Sequence, residues 1–264
     1  MKTIGASYMK RLAFASRYAG RHLLISTLVA LIAAGIVYGW WYPSPFRQVL
    51  DINHIFLLML VVDVVCGPLL TLIISSPNKS SRERLLDFSL IGLVQLLALA
   101  YGLHSVWLAR PAVLAFEVDR LVVVTANEIN HENLSKAPEG LRQLPFSGVM
   151  KVATRRSANA AEMFESVELD TAGLSPAKRP SRWEPWDQHQ ADIKARCRPL
   201  TALISQRPKQ AAVLKKAAAE TGLDIEQLTY LPLTSSKTKD AVALFDANLH
   251  LVGYAPVDGF QHTN

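Results

Sequence analysis

The sequence predicts a membrane protein of three transmembrane α-helices followed by a soluble α+β domain, and three observations carry that prediction. Half of the 264 residues are apolar, only 19% are charged and the mean hydropathy is +0.17, too apolar for an ordinary soluble chain of this size. The apolar excess is concentrated in residues 23–41, 52–74 and 88–108, which together hold one formal charge, Asp63. The remainder, residues 109–264, is nearly balanced, with 19 Lys and Arg against 18 Asp and Glu. Most of the net charge of +6 therefore belongs to the first 108 residues, and the pI of 9.4 does not mark a nucleic-acid-binding domain. The expected organisation is a basic N-terminus over 1–22, a membrane region over 23–108 and a separate domain over 109–264.

A bilayer core of about 30 Å needs about 20 apolar helical residues, and each stretch meets that length. Span one ends in Trp40, Trp41 and Tyr42, an aromatic cluster suited to an interface, and is stopped by Pro43 and Pro45. A cleavable signal peptide competes for this segment, but the apolar run continues past Ala33-Ala34-Gly35 and two more spans follow. Spans two and three are joined by a short polar loop and read as a helical hairpin. Five basic residues precede span one (Lys2, Lys10, Arg11, Arg17, Arg21), one lies between spans one and two (Arg47), and three between spans two and three (Lys79, Arg82, Arg84). The positive-inside rule puts the N-terminus in the cytoplasm beside anionic lipid, and an odd number of spans puts residues 109–264 on the far side, in the periplasm of a Gram-negative cell.

Asp63 falls at the midpoint of span two, where an ionisable group costs about 2.5 to 3.5 kcal/mol on insertion scales. It requires a partner, a proton or water. Gln95 lies near the midpoint of antiparallel span three, so the two side chains are expected at one depth, within hydrogen-bonding reach. Four residues after Asp63, Gly67-Pro68 weakens the helical ladder and admits a close neighbour. Three readings stay open at this point: an interhelical clamp beside a kink, a groove for a partner's transmembrane segment, or a proton path.

Beyond Arg110-Pro111 the pattern switches to period two, with Leu114, Phe116 and Val118 on one face of a strand and Glu117 and Asp119 on the other. Weaker strands are expected at 149–153 and 164–169, a polar connection at 126–148, helices at 189–206 and 208–221 broken at Pro199 and Pro208 with Gly222 as the C-terminal stop, and a closing hairpin around Asp246-Ala247-Asn248. Trp183 and Trp186 flank Pro185 and read either as a lid over the core or as a partner-binding surface. His22, His54, His104, His131, His189, His250 and His262 lack metal-pair spacing, and no nucleophile or phosphate-loop motif appears, so neither an enzyme nor a cofactor or metal site is expected. Cys66 and Cys197 sit in different environments and supply no disulfide framework.

Asp63 with Gly67-Pro68-Leu69-Leu70-Thr71-Leu72, Gln95 with Tyr101-Gly102, Arg110-Pro111 and Phe116-Glu117-Val118-Asp119-Arg120 resemble the type IV pilin accessory proteins, small inner-membrane proteins of Gram-negative bacteria. The resemblance is good over residues 20–125 and thinner beyond, apart from Leu231-Pro232-Leu233 and the closing hairpin. It implies a non-enzymatic, chaperone-like or assembly-modulating role toward a cognate type IV pilin. The competing class is a membrane-anchored periplasmic ligand sensor or envelope enzyme.

Overall fold

The computed structural model describes residues 2–260, with side chains from residue 9 onward; Met1 and residues 261–264, His262 among them, lie outside the described residues. Along the chain come α1 (Lys2–Ile36), a π-helical turn at Val37–Trp41, the short α2 (Phe46–Val49), α3 (Ile52–Ile74) and α4 (Ser81–Leu108). Then follow β1 (Pro111–Glu117), β2 (Arg120–Thr125), β3 (Met150–Thr154), α5 (Ala160–Thr171), β4 (Trp183–Pro185) and α6 (Gln190–Arg196). The last elements are β5 (Arg198–Pro199), α7 (Leu200–Gln206), α8 (Ala211–Thr221), β6 (Thr229–Thr234), β7 (Ala241–Phe245) and β8 (Leu251–Ala255). Two compact units result, one formed by the chain up to Trp40 with Ile52–Leu108, the other by Trp41–Asp51 with the chain from Ala109 on.

In the first unit three helices are long and apolar enough to cross a membrane. α3 coincides with the apolar stretch 52–74, whereas α1 and α4 begin ahead of theirs. α4 begins at Ser81 because Ser80 and Glu83 form a reciprocal cap: the Ser80 N–H donates to the Glu83 carboxylate at 2.8 Å and the Glu83 N–H to Ser80 Oγ at 3.2 Å. Lys79 pairs with Asp87 at 2.6 Å one turn further on. α3 runs antiparallel to α4, and each close approach uses a glycine: the Gln95 amide occupies the space a Cβ at Gly67 would need, and Met59 Sδ does the same at Gly102.

The second unit is a mixed sheet in the order β4-β3-β1-β2-β6-β7-β8, with β5 pairing β6. β1 and β2 are antiparallel, β3 joins β1 and β6 joins β2 in parallel, and the outer pairs are antiparallel. One apolar cluster gathers Leu200, Leu203, Leu214, Tyr230 and Leu244, and another gathers Val113, Val124, Val152 and Trp183. The connection between the first two spans belongs to this unit: Tyr42, Phe46, Val49 and Leu50 are buried in it, and Ser235 Oγ donates to the Val49 carbonyl at 2.9 Å. Burial pushes the Tyr42 hydroxyl pKa up, against the opposing pull of nearby Arg110.

Several expectations for this half need correction. The strand expected through Val118 is a hairpin, with Glu117 paired to Arg120 across a turn at Val118-Asp119. Residues 164–169 are helical, because the Asn159 side chain accepts the Glu162 N–H at 2.9 Å and starts α5. The break expected at Pro199 within 189–206 is present, between α6 and α7, and Arg198-Pro199 there forms β5, which pairs with β6. β6 itself was obscured by Pro232, which the sheet tolerates because neither β5 nor β2 has a residue paired to it. Gly222 does end α8 in the left-handed conformation, φ 72°.

Candidate functional site

Asp63, Gly67 and Thr71 of α3, with Ser75 just past its end where the Ser75 N–H still donates to the Thr71 carbonyl, recur every fourth position and so share one helical face. Gly67, Thr71 and Ser75 are buried within the first unit, while Leu57, Leu58, Leu69 and Ile73 are exposed on the other faces. Small residues at this spacing let neighbouring helices approach closely. Thr71 Oγ1 and His22 Nδ1 of α1 lie 2.6 Å apart in a hydrogen bond. Arg11 of α1 donates to the Ile73 carbonyl at 3.1 Å, serving the end of α3 where helical carbonyls lack partners. α3 is thus tied to α1 and to α4 through polar groups on one stripe.

Gln95 reaches Asp63 as depth alone suggests, but its Nε2 donates to the Asp63 main-chain carbonyl, at 2.8 Å, and not to the carboxylate. Gly67, having no side chain, lets the Gln95 amide come this close, and Pro68 leaves the neighbouring Val64 carbonyl without its helical N–H in the same turn. Two acceptors remain. Asp63 Oδ2 and Gln95 Oε1 are both shielded from solvent and have no hydrogen-bond partner among the described residues. The Asp63 and Gln95 residues border a cleft of about 180 Å³ lined also by His22, Ser26, Leu60, Gly92, Leu96 and Leu99, drawn from all three long helices. An oxygen acceptor left unpaired in an apolar setting costs several kcal/mol unless a donor reaches it.

The fimbrial assembly protein FimB family model matches residues 10–51. The fimbrial assembly protein of Dichelobacter nodosus serogroup I is 34% identical over 253 residues, covering 96% of this chain and 98% of the relative, and that of serogroup E1 has the same identity and coverage. The chain belongs to this family of fimbrial assembly proteins. A relative from serogroups C1 and C2 is 39% identical over 128 residues, which is 48% of this chain and 98% of the shorter protein. No solved structure matches the chain.

Within this member of the family the sequence pointed to Asp63, Gly67, Pro68 and Gln95, and the fold brings all four together. It did not single out His22 or Ser26, and it named Thr71 only within the motif Gly67-Pro68-Leu69-Leu70-Thr71-Leu72, although the Gly-xxx-Thr-xxx-Ser spacing was a readable sign. The two tryptophans separate. Trp183 is buried and its Nε1 donates to the Ala177 carbonyl at 2.9 Å, so it presents no surface. Trp186 is buried too, at 8% exposure, but it carries Lys151 Nζ over its ring at 5.7 Å and lines a cleft of about 390 Å³ with Asp187, Gln190 and His250. Among the described residues no three His, Cys, Asp or Glu side chains gather as a metal ion requires.

Proposed function

We propose that this fimbrial assembly protein is a non-enzymatic accessory factor of the inner membrane that holds a cognate type IV pilin before or during pilus assembly. A pilin's apolar helix seats against the Asp63–Gln95 cleft. The observation that carries the reading is that Asp63 and Gln95, each with a buried and unpartnered oxygen (Oδ2 and Oε1), line a cleft bounded by three long apolar helices. A donor on the entering helix satisfies them, and when the helix leaves, the acceptors again lack a partner, which favours recapture. Trp186 and its cleft are a second contact point, outside the membrane.

The orientation assigned to the chain rests on charge and on packing. Basic residues before span one outnumber those after it five to one, which favours a cytoplasmic N-terminus facing anionic lipid. The 41–51 connection folds with the C-terminal domain, so the two share a side of the membrane; by the charge rule that side is the periplasm. The test uses Asp63. Asp63→Leu is expected to reduce surface pili at least severalfold while the protein stays abundant in membranes, and Asp63→Asn to do less harm, because an amide oxygen still accepts at that depth. Normal piliation in both, in a strain where deletion of the gene abolishes pili, overturns the cleft as the functional contact.

A further inference from the structure

α5 is assembled with its polar side inward. Glu162, Ser166 and Asp170 recur at every fourth position and face the body of the domain. Glu162 takes a two-pronged bond from Arg155, at 2.6 and 3.0 Å, and pairs with buried Arg182. Ser166 accepts from buried Arg179 at 2.6 Å, and Arg179 lies 3.5 Å from Asp170. Ser166 is the helix's one buried residue. The opposite side carries Met163, Phe164 and Val167, exposed to 61%, 76% and 56%. A soluble helix normally buries such a stripe.

The same end of the sheet holds a second anomaly. Val118 has φ 60°, a conformation a β-branched residue rarely adopts, and is 70% exposed. The Asp119 N–H donates to the Glu117 carbonyl at 2.7 Å across it, closing a strained three-residue turn. Its position is set by Thr154 Oγ1, which donates to the Phe116 carbonyl at 3.1 Å just before α5, and by the Ala177 N–H, which donates to the Glu117 carboxylate at 2.9 Å just after it.

We propose that the outward face of α5, at the same end of the sheet as Val118, docks the soluble head of the pilin through an apolar patch on that head rimmed by Lys or Arg. Charge selects this occupant. Between Ala160 and Thr171 the helix carries Glu162, Glu165, Glu168 and Asp170 and no basic residue, and Glu165 and Glu168 are exposed beside the apolar side chains. Helices that lie on anionic membranes carry Lys and Arg on their polar side, the reverse of this one. A symmetric pairing with a second copy would set Glu165 and Glu168 against their own counterparts. Three large side chains fall short of the roughly 800 Å² per partner in a standard stable interface, which suits a subunit that must be released. The inference rests on the reading of this chain as a pilin-handling factor, and it places the head contact apart from the membrane cleft.

The test is site-specific photo-crosslinking in the full chain, in membranes of cells producing the cognate pilin. Benzoylphenylalanine at Phe164 is expected to give an adduct with the pilin, and at exposed Lys215 on α8 to give none. Reversing the rim with Glu165→Lys and Glu168→Lys lowers the Phe164 adduct at least fivefold, and Met163→Ser with Val167→Ser does so without changing the protein's abundance. No adduct, an adduct with lipid or a second copy alone, or a yield indifferent to charge reversal overturns the proposal. Failure of the cleft reading is a separate outcome: normal piliation in Asp63→Leu would leave the Phe164 adduct standing, whereas loss of the adduct with Asp63-dependent piliation intact removes only the α5 contact.

Discussion

α3 and α5 obey the same arrangement in different surroundings. Each turns a polar or small stripe spaced by four residues toward its own unit, Asp63, Gly67, Thr71 and Ser75 in one and Glu162, Ser166 and Asp170 in the other, and each exposes large apolar side chains. α3, with 23 residues, is long and apolar enough to cross a membrane, and lipid would cover its outside. α5 has 12 residues, about 18 Å of helix, too short to cross a bilayer, and its exposed carboxylates make it a poor membrane ligand. The pattern alone does not name the solvent. Length and the sign of the flanking charge do, and for α5 they leave a protein partner as the missing cover.

The widest test of this contrast compares α5 with α8, whose apolar side is buried as usual. Leu214→Ala is expected to cost about 2 to 5 kcal/mol in the thermal or denaturant stability of the protein. Phe164→Ser should change it by less than about 0.5 kcal/mol, as for other exposed sites. Equal costs would mean that Phe164 is covered within the chain. A step smaller, Gly67→Leu drives a side chain into the Gln95 amide and is expected to cost about 1 to 3 kcal/mol, read as lower membrane abundance and as loss of the crosslink between cysteines placed at positions 63 and 95 in a background lacking Cys66 and Cys197. The mildest is pH. The Arg155 guanidinium beside Glu162 holds its carboxyl at about 2, below the ordinary 4.5. Because the folded value is depressed, the pairing contributes fully above pH 4.5 and is lost as pH falls toward 2. Amide exchange in residues 160–171 should therefore accelerate before that of β6 and β7 over this range; a simultaneous loss would show that α5 does not depend on this pair.

The long helices were legible because lipid imposes a requirement of about 20 apolar residues that few other structures meet. Their ends were less so. α4 starts seven residues ahead of its apolar run, from a Ser80–Glu83 cap that polar composition disguised as loop. α5 was mistaken for a strand because Phe164, Val167 and Leu169 are its visible apolar residues, and their inward counterparts are polar; only Asn159 and the four-residue recurrence of Glu162, Ser166 and Asp170 betray a helix. β6 escaped because a proline in a central strand is ordinarily evidence against one. At the candidate site, Asp63 and Gln95 could be matched by depth along two antiparallel helices. The His22–Thr71 bond could not, since it depends on how α1 rotates against α3, which packing decides.

The central claim, that the Asp63–Gln95 cleft receives a pilin helix, is tested most directly inside the membrane. Benzoylphenylalanine placed at Leu96, on the wall of the cleft, should form an adduct with the cognate pilin, and Asp63→Leu should reduce that adduct severalfold while an adduct from Phe164 persists. An adduct from Leu96 with lipid alone, or one with pilin that Asp63→Leu leaves unchanged, would contradict it.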